Sequence, residues 1–429
     1  MTTTVTAWLY GTPVARLAPD PQPTGSGAHR VHLTWTDDAL ARWGHGARVL
    51  SHLLPITPTG DTPPHPARVA AWLDGLLPEG RTRDTLALDA GIDPDDTLTF
   101  LAHYGHDTAG AVLLAPDDQT PPTPGTPERL DDTDVARLLR ASISRAGGHG
   151  RSEHLTSSLP GMEPKITLLH DGYGWARPHG SAPTTHILKV ARPSDSPTAD
   201  LVNTEAASLD LARRTDLTTV HAHVTEFDGE RAIVVTRYDR VPHPADPTRT
   251  ARLHQEDTAQ ALGINTRDPE RKFQHGRALP SLARIARVLR DDGTRPDPLL
   301  ALTTFNLAIG NTDAHAKNIS LLRHDDGTVR LAPAYDVSMH LHHPHASRTF
   351  AMDVAGERDM DHLTAEHLVT EGTTWGLPRR RAQRAVAQTL DGLLTALAEI
   401  DRDAHPGVSR HAWRTVEQRT TDLRRGLVV

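Results

Sequence analysis

The chain has 429 residues, no cysteine and a formal net charge of −8, and its length alone predicts about two or three domains. The lack of cysteine excludes disulfide bonds and thiolate metal sites, and the negative charge disfavours general attraction to nucleic acid or anionic membranes. The first residues lack the basic and apolar regions of a signal peptide, and no apolar run is long enough to span a membrane. These features predict a cytoplasmic protein without a membrane partner.

Residues 1–115 are predicted to form a small α+β unit. Segments 5–9 and 31–35 are typical of short strands, and a region rich in proline and glycine separates them. Segments 69–77 and 96–104 predict short helices, and 109–114 predicts a further strand. The unit has no group of polar residues that is typical of a catalytic site.

The clearest domain boundary is the segment 116–130, which contains prolines at positions 116, 121, 122, 124 and 127. Closely spaced prolines favour a stiff, extended chain, so we interpret this segment as a linker. Residues 131–240 then form a second predicted unit with a glycine-containing loop at 145–165. Backbone N–H groups of such a loop can contact phosphates. The other elements predicted in this unit are a helix at 133–143, strands at 166–169, 174–177 and 185–190, a helix at 201–213 and a hairpin within 220–238.

Lysine is rare in this chain, because only four of its 46 basic residues are lysines, at positions 165, 189, 272 and 317. A lysine kept in such a chain marks a candidate position where a compact ammonium group serves and a wide guanidinium group does not. Lys189 follows the glycine-containing loop within a predicted strand, an arrangement typical of a lysine that pairs with nucleotide phosphates. Glu205 is a candidate to orient it. An edge-strand lysine that faces solvent is the alternative for Lys189, and chance retention stays open for Lys272.

The segment 305–322 places a group of polar residues between apolar flanks. This pattern favours a polar loop that buried flanks hold in place, because unpaired polar groups are costly to bury. Asp313 and Asn318 are five residues apart, which is the separation of the base and the magnesium-binding amide in kinase catalytic loops. Asp336, which follows a strand predicted at 329–331, is the candidate for the second magnesium ligand. A helix cap, a buried amide and a turn would explain each residue singly, but the three in this order favour a phosphotransfer site.

These motifs resemble one family, the HipA serine/threonine-protein kinases, which are toxins of bacterial type II toxin–antitoxin systems. The resemblance spans the whole chain in order, and its segment 309–318 is very specific. The matching segments are Leu-Leu-Pro-Glu-Gly (76–80), Tyr-Gly-His-Asp-Thr-Ala-Gly-Ala-Val (104–112), Ser-Leu-Pro-Gly-Met-Glu-Pro-Lys (158–165), Thr-Thr-His-Ile-Leu-Lys (184–189), Val-Thr-Arg-Tyr-Asp-Arg (235–240), His-Gln-Glu-Asp-Thr-Ala-Gln-Ala-Leu-Gly (254–263), Ile-Gly-Asn-Thr-Asp-Ala-His-Ala-Lys-Asn (309–318) and Tyr-Asp-Val (335–337).

The resemblance implies an α+β, bilobal, protein-kinase-like fold with an N-terminal subdomain (1–115), an N-lobe (131–240) and a mostly helical C-lobe (241–429). It implies ATP and Mg²⁺ as cofactors, Asp313 as the catalytic base, and Asn318 and Asp336 as the magnesium ligands. The ATP-binding residues that it implies are Pro160, Gly161, Met162, Glu163, Pro164, Lys165, Lys189, Thr236, Arg237, Tyr238, His315, Ala316, Lys317, Asn318, Tyr335 and Asp336.

The resemblance also implies autophosphorylation of the phosphate loop. Ser158 matches the family's modified serine, and the adjacent Ser157 leaves the modified position open. The implied substrate is an aminoacyl-tRNA synthetase such as the glutamyl enzyme, and the implied partner is a HipB-like helix-turn-helix antitoxin that carries most of the contact with operator DNA.

Two other interpretations stay open. Small-molecule phosphotransferases of the aminoglycoside type share the Asp-x-His-x-x-Asn spacing, and a non-catalytic corepressor in an antitoxin–DNA complex would need no chemistry.

Overall fold

The computed structural model of this protein describes residues 3–20, 30–117, 123–146, 159–161, 163–275 and 280–427. Along the chain these residues form an N-terminal subdomain, an N-lobe that contains a mixed helix and sheet layer, and a C-lobe that is mostly helical. The order of units agrees with the predicted α+β, bilobal architecture. None of the described helices combines the length and the apolar composition that a bilayer span needs.

The N-terminal subdomain packs short helices against an antiparallel sheet with the strand order β3–β2–β1–β4. The prediction of a turn region between residues 9 and 31 was wrong in part, because Thr12–Pro19 forms a strand with Val14, Ala15 and Leu17 buried. Pro13 lies at a shift of register against β1, a position where a strand tolerates proline. The elements are β1 Val5–Leu9, β2 Thr12–Pro19, β3 Val31–Trp35, α1 Asp37–Trp43, α2 Pro66–Asp74, α3 Gly80–Ala90, α4 Thr97–Tyr104 and β4 Leu113–Pro116.

The N-lobe is a sheet with the strand order β5–β7–β6–β8–β10–β9, and helices cover both of its faces. Along β10, Ala232 and Val234 pack towards α5, whereas Ile233 and Val235 belong to the core that includes α6 and the C-lobe. This alternation is the normal two-residue period of a strand. The elements are β5 Glu128–Leu130, α5 Asp132–Ala146, β6 Lys165–His170, β7 Trp175–Arg177, β8 His186–Val190, α6 Leu201–Arg214, β9 Ala222–Phe227 and β10 Glu230–Thr236.

The segment interpreted as a linker overlaps paired structure at both of its ends. Pro116 is the last residue of β4, and Glu128–Leu130 pairs with β7 as the edge of the N-lobe sheet. The N-lobe sheet therefore begins before residue 131, the boundary that the proline pattern predicted. A three-residue edge strand carries too short a pattern to be distinguished from extended linker in the sequence.

The C-lobe is built around α9, whose residues from Leu299 to Ile309 are almost all buried and contact the three helices that follow it in the chain. It also contains short strands, of which only the strand at 329–331 was predicted. The pairing of β13 with β14 joins segments that are distant in sequence, and strands of three or four residues carry little pattern of their own. The elements are β11 Arg240–His243, β12 Asp246–Arg252, β13 His254–Asp257, α7 Thr258–Ala261, α8 Leu282–Asp291, α9 Asp297–Ile309, β14 Ser320–Arg323, β15 Val329–Leu331, β16 Thr349–Val354, β17 Glu357–Asp359, α10 Ala365–Thr374, α11 Arg379–Glu399 and α12 Arg410–Arg425.

A buried ion cluster attaches the N-terminal subdomain to the hinge between the lobes, residues 236–252. The Asp107 carboxylate accepts hydrogen bonds from Arg240 at 2.8 Å, from Arg252 at 3.2 Å and from the hydroxyl of Thr184 at 2.5 Å. Burial alone would raise the pKa of Asp107, but Arg240, Arg237 and Arg252 outweigh it and hold the pKa well below the usual range. The carboxylate is therefore ionised, and it neutralises the cations of the hinge.

Replacing Asp107 by asparagine is expected to destabilise the protein by about 3–5 kcal/mol, because it leaves buried arginines without their counter-charge. The exposed pair of Asp391 with Arg424 is the control, and Asp391→Asn is expected to cost less than about 1 kcal/mol. The midpoint of urea unfolding measures both. The Asp107 contribution is complete above the ordinary carboxyl pKa of 3.8 and is lost as the pH falls towards the folded-state pKa. Equal midpoints for the two variants at neutral pH would contradict this account of the hinge.

Candidate active site

A cavity of about 640 Å³ lies between the two lobes, and the N-terminal subdomain forms part of its wall. Its lining comes from several segments of the lobes: the described end of the glycine-containing loop (159–161 and 163–165, called the phosphate loop below), β8, the hinge residues 236–238, the loop after α9 and the segment around Asp336. A concave site in which polar groups of several chain segments converge is the usual form of a small-molecule site. Most of the sequence-predicted ATP-binding residues, which lie between Pro160 and Asp336, are thus brought together in one cavity.

The loop after α9 is held by its own side chains. Asn311 donates from Nδ2 to Asn306 Oδ1 at 2.9 Å and accepts from the Asp313 N–H at 3.1 Å. Asn318 Nδ2 donates to the Asp313 carbonyl at 2.9 Å. The Asp313 carboxylate and Asn318 Oδ1 are left free of these loop contacts, and both residues lie in the wall of the cavity.

The Asp313 carboxylate has the electrostatics of a base that titrates near neutrality. Burial, reinforced by the negative charge of Asp336, raises its pKa to about 7. About half of its side chain surface is open, but that surface faces the cavity between the lobes rather than the outer surface. The group is therefore accessible to a bound molecule and yet poorly solvated.

Lys189 lies in β8, in the interior of the N-lobe sheet, which rejects the interpretation as a solvent-facing edge lysine. Its ammonium donates to Glu205 Oε1 at 2.8 Å, as the sequence suggested, and also bonds Asp336. Burial would lower the pKa of Lys189, but Asp336 and Glu205 outweigh it and raise the pKa well above the usual value. For Asp336, burial would raise the pKa, and Lys189 with Lys165 lowers it well below the usual range. Both groups are charged at neutral pH.

The residues that surround Asp336 fit a hard divalent cation. Carboxylate oxygens of Glu163, Glu205 and Asp336 all lie within 4.8 Å of one another. Asn318 offers its Oδ1, because its Nδ2 is already bonded inside the catalytic loop. Carboxylate and amide oxygens are the donors that Mg²⁺ prefers, so the donor chemistry agrees with the predicted pair Asn318 and Asp336 and adds Glu163 as a neighbour.

A second group of possible ligands, Asp200 with His342 and His343, is better explained by hydrogen bonds. Each histidine has its Nε2 2.7 Å from a different oxygen of Asp200. A histidine that binds a metal through Nε2 carries its proton on Nδ1 and normally donates it to an acceptor. Nδ1 of His342 is buried and has no such acceptor among the described residues. This cluster is therefore a hydrogen-bonded pair.

The described part of the phosphate loop lies over the cavity. Lys165 donates to the Pro160 carbonyl at 3.0 Å, and across the sheet it pairs in register with Lys189. Gly161 has a φ of +117°, a conformation that favours glycine. Pro164 borders a smaller adjoining pocket rather than the main cavity. The predicted residues Met162, Ser157 and Ser158 lie outside the described residues.

The hinge residues Thr236, Arg237 and Tyr238 line the cavity in different ways. The Arg237 guanidinium is directed into the ion cluster, where it bonds Asp239 and the Thr108 carbonyl, so its side chain is occupied. The Arg237 N–H is also used, because it donates to the Thr185 carbonyl at 2.9 Å. Of the three, Tyr238 offers an aromatic wall, and its ring lies 5.3 Å from that of Tyr335.

The three residues between Ala314 and Asn318 differ in how they meet the cavity. His315 is buried, its ring meets Phe273 edge-on, and burial lowers its pKa to about 3, so it is neutral. Ala316 is fully buried, and its carbonyl accepts from Thr258, which makes it a part of the turn. Lys317 donates to Asp257 at 3.1 Å rather than standing free for a ligand.

Comparison with known proteins agrees with this arrangement. Residues 5–115 match the family model of the HipA N-terminal domain, and residues 157–397 match the HipA-like C-terminal domain. The chain belongs to the HipA family. The resemblance in the sequence motifs is thereby confirmed.

Relatives of this HipA-family chain cover most of its length. Y4mE of Sinorhizobium fredii, which carries a provisional kinase name, is 32% identical over 77% of this chain and 79% of its own. The serine/threonine-protein kinase toxin HipA of Shewanella oneidensis is 26% identical over 84% of each chain. A solved structure of Shewanella oneidensis HipA with HipB and operator DNA has the same fold, with a TM-score of 0.79 over 99% of this chain and 100% of that one, at 22% identity.

All four lysines of this HipA-family chain lie in the wall of the one cavity, including Lys272. Lys272 thus lies in the cavity wall together with the other lysines, although chance retention had been an open alternative for it. The polar side chains in the wall that received no role in the sequence analysis include Glu79, Asp257, Gln255 and Ser320. Glu79 lies in the quoted motif Leu-Leu-Pro-Glu-Gly, Gln255 and Asp257 lie in His-Gln-Glu-Asp, and Ser320 lies two residues after the motif that ends at Asn318. A motif located these residues, but only the packing of distant segments shows that they meet at the cavity.

Proposed function

We propose that this protein is an ATP- and Mg²⁺-dependent serine/threonine-protein kinase that acts as a HipA-like toxin. The observation that carries the proposal is the convergence, on one cavity, of the Asp313 carboxylate, Asn318 Oδ1 and the Lys189–Asp336 ion pair. These are the positioning and charge-stabilising groups that phosphoryl transfer requires. The kinase names of its relatives support the same reaction.

In this mechanism Asp313 orients a substrate hydroxyl and accepts its proton. A carboxylate with a pKa near neutrality is well matched to this task. Lys189, held by Glu205, neutralises charge on the nucleotide phosphates, and Lys165 with the backbone of the phosphate loop adds further positive potential. Asn318 and Asp336 hold the magnesium ion, which supplies further neutralisation of the transferred phosphoryl group when it is bound.

The nucleotide base is proposed to lie against the hinge. Apolar residues of the cavity wall, among them Val220 and Val235, and the rings of Tyr238 and Tyr335 offer a flat apolar slot. Since the N–H groups of Thr236 and Arg237 are already bonded to the carbonyls of His221 and Thr185, the base would meet the backbone groups that remain in this segment, those of Tyr238 among them. His315 in its neutral form adds a polar group without adding charge.

The finer assignments of substrate and partner rest on the family. The proposed substrate is an aminoacyl-tRNA synthetase such as the glutamyl enzyme, and the proposed site of autophosphorylation is Ser158 or Ser157. The proposed partner is a HipB-like antitoxin that mediates contact with operator DNA, in support of which the Shewanella oneidensis HipA structure contains HipB and operator DNA. The proposed location is the cytoplasm.

The first test is peptide mapping by mass spectrometry after incubation with ATP and magnesium. Wild type is expected to carry phosphate on Ser157 or Ser158, and Asp313→Asn is expected to carry none. Asn keeps the shape of the residue but cannot accept the proton. If phosphate is absent from both while small hydroxyl compounds stimulate ATP turnover, the protein is a small-molecule phosphotransferase. If neither reaction occurs, the corepressor interpretation replaces the kinase.

Lys189→Arg is expected to lose most of its activity, about 100-fold in kcat, although it keeps the positive charge. The ammonium of Lys189 already lies between Glu205 and Asp336, and a guanidinium group would crowd both them and the phosphates. The exposed Arg348, paired with Asp361 away from the cavity, supplies the control Arg348→Lys, whose activity is expected to equal that of wild type. Near-normal turnover of Lys189→Arg would refute the account of why lysine was retained.

The rate of phosphorylation is expected to rise with pH through the pKa of Asp313. Only the unprotonated carboxylate accepts a proton, so kcat/KM for ATP should fall about tenfold per pH unit below about 7 and level off above it. The midpoint in kcat should lie lower, because magnesium on Asp336 cancels the negative charge that raises the Asp313 pKa. A pH profile that is flat between about 5 and 8 would contradict Asp313 as the base.

A further inference from the structure

Two buried lysines of the cavity wall meet at the carboxylate of Glu79. Lys272 Nζ lies 3.1 Å from Glu79 Oε2, and Lys317 Nζ lies 3.8 Å from Glu79 Oε1. Lys317 also donates to Asp257 Oδ2 at 3.1 Å. Each of the four side chains exposes less than a tenth of its surface. The cluster therefore consists of two ammonium groups and two carboxylates that have little contact with water.

Buried charges are tolerated only when they are paired, because each loses its hydration. The two carboxylates balance the two ammonium groups, and Glu79 is the one that contacts both lysines. Its removal would take away the carboxylate that the two lysines share.

The cluster joins the N-terminal subdomain to two chain segments near Asp313. Glu79 immediately precedes α3 of that subdomain, whereas Lys317 lies between Asp313 and Asn318 in the catalytic loop. The second segment contains Lys272, which immediately precedes Phe273. The centroid of the Phe273 ring lies 5.1 Å from that of the His315 ring. The position of one carboxylate in the N-terminal subdomain thus bears on both segments that border Asp313.

We propose that Glu79 is a positioning residue for phosphoryl transfer, which fixes the catalytic loop through Lys317 and holds the segment of Lys272 and Phe273 that packs against His315 of the same loop. The N-terminal subdomain is then part of the active site rather than only a neighbour of it. This inference rests on the proposed function.

The test is Glu79→Gln, which keeps the size of the side chain and removes its charge. The expected result is a decrease in kcat of about 10- to 100-fold with a change in the KM for ATP of less than about threefold. Amide hydrogen exchange of the peptide 313–319 should become faster, because the catalytic loop loses its anchor.

Asp84→Asn is the matched control. Asp84 lies on α3 near Glu79 and pairs with Arg267 at 3.3 Å, but its side chain is 56% exposed and it is remote from the cavity lining. This variant removes the same charge from a nearby position, because Asp84 lies on the helix that Glu79 immediately precedes. Its kcat, pH profile and hydrogen exchange are expected to equal those of wild type.

A Glu79→Gln protein that unfolds at lower temperature but keeps the wild-type kcat and hydrogen exchange would overturn the inference. If wild type itself transfers no phosphate, the proposed function fails, and hydrogen exchange then decides alone. Unchanged exchange at 313–319 would also overturn the positioning role, whereas faster exchange in Glu79→Gln alone would support it.

Discussion

Neutralisation of buried charge is the constraint on which the arrangement of this protein depends. Two of the places where the lobes bury cations lie against the N-terminal subdomain, Arg240 and Arg252 at the hinge and Lys272 and Lys317 beside the loop after α9. At both places a carboxylate of the N-terminal subdomain is among the partners. Since a buried ion without its partner is strongly destabilising, the subdomain cannot leave either place without exposing or stranding those charges.

The same principle orders the interior of the cavity. Lys189 is neutralised by Glu205 and Asp336, and those pairs hold the charges that nucleotide and metal need at neutral pH. Asp313 has a different environment, in which its carboxylate is poorly solvated and faces another negative group. Asp313 and Asp336, which both line the cavity, thus have pKa values shifted in opposite directions, upward for Asp313 and downward for Asp336. Such a separation is the usual physical sign of distinct catalytic roles.

Much of the fold and of the site could be predicted from local patterns. The order Asp313, Asn318, Asp336 was informative because the proposed phosphoryl transfer gives each position a distinct task, and the scarcity of lysine singled out all four cavity lysines. Strand β2 was missed because prolines at both of its ends suggested a turn, and β13 was missed because its partner β14 is distant in sequence. Elements of three or four residues have too little periodicity to be recognised without those partners.

By itself, the sequence determined the unit order, the family motifs and the identity of the groups that we propose for phosphoryl transfer. These properties depend on residue type and spacing along the chain, which the sequence contains in full. Only the tertiary structure decided that the Arg237 side chain and the Lys317 ammonium serve ion clusters, and that Glu79 stands in the wall of the cavity. The physical reason is that a buried charge is defined by its neighbours. Lys317 contacts Asp257 and Gly75, which lie 60 and 242 residues away along the chain, and Arg237 contacts Thr108, which lies 129 residues away.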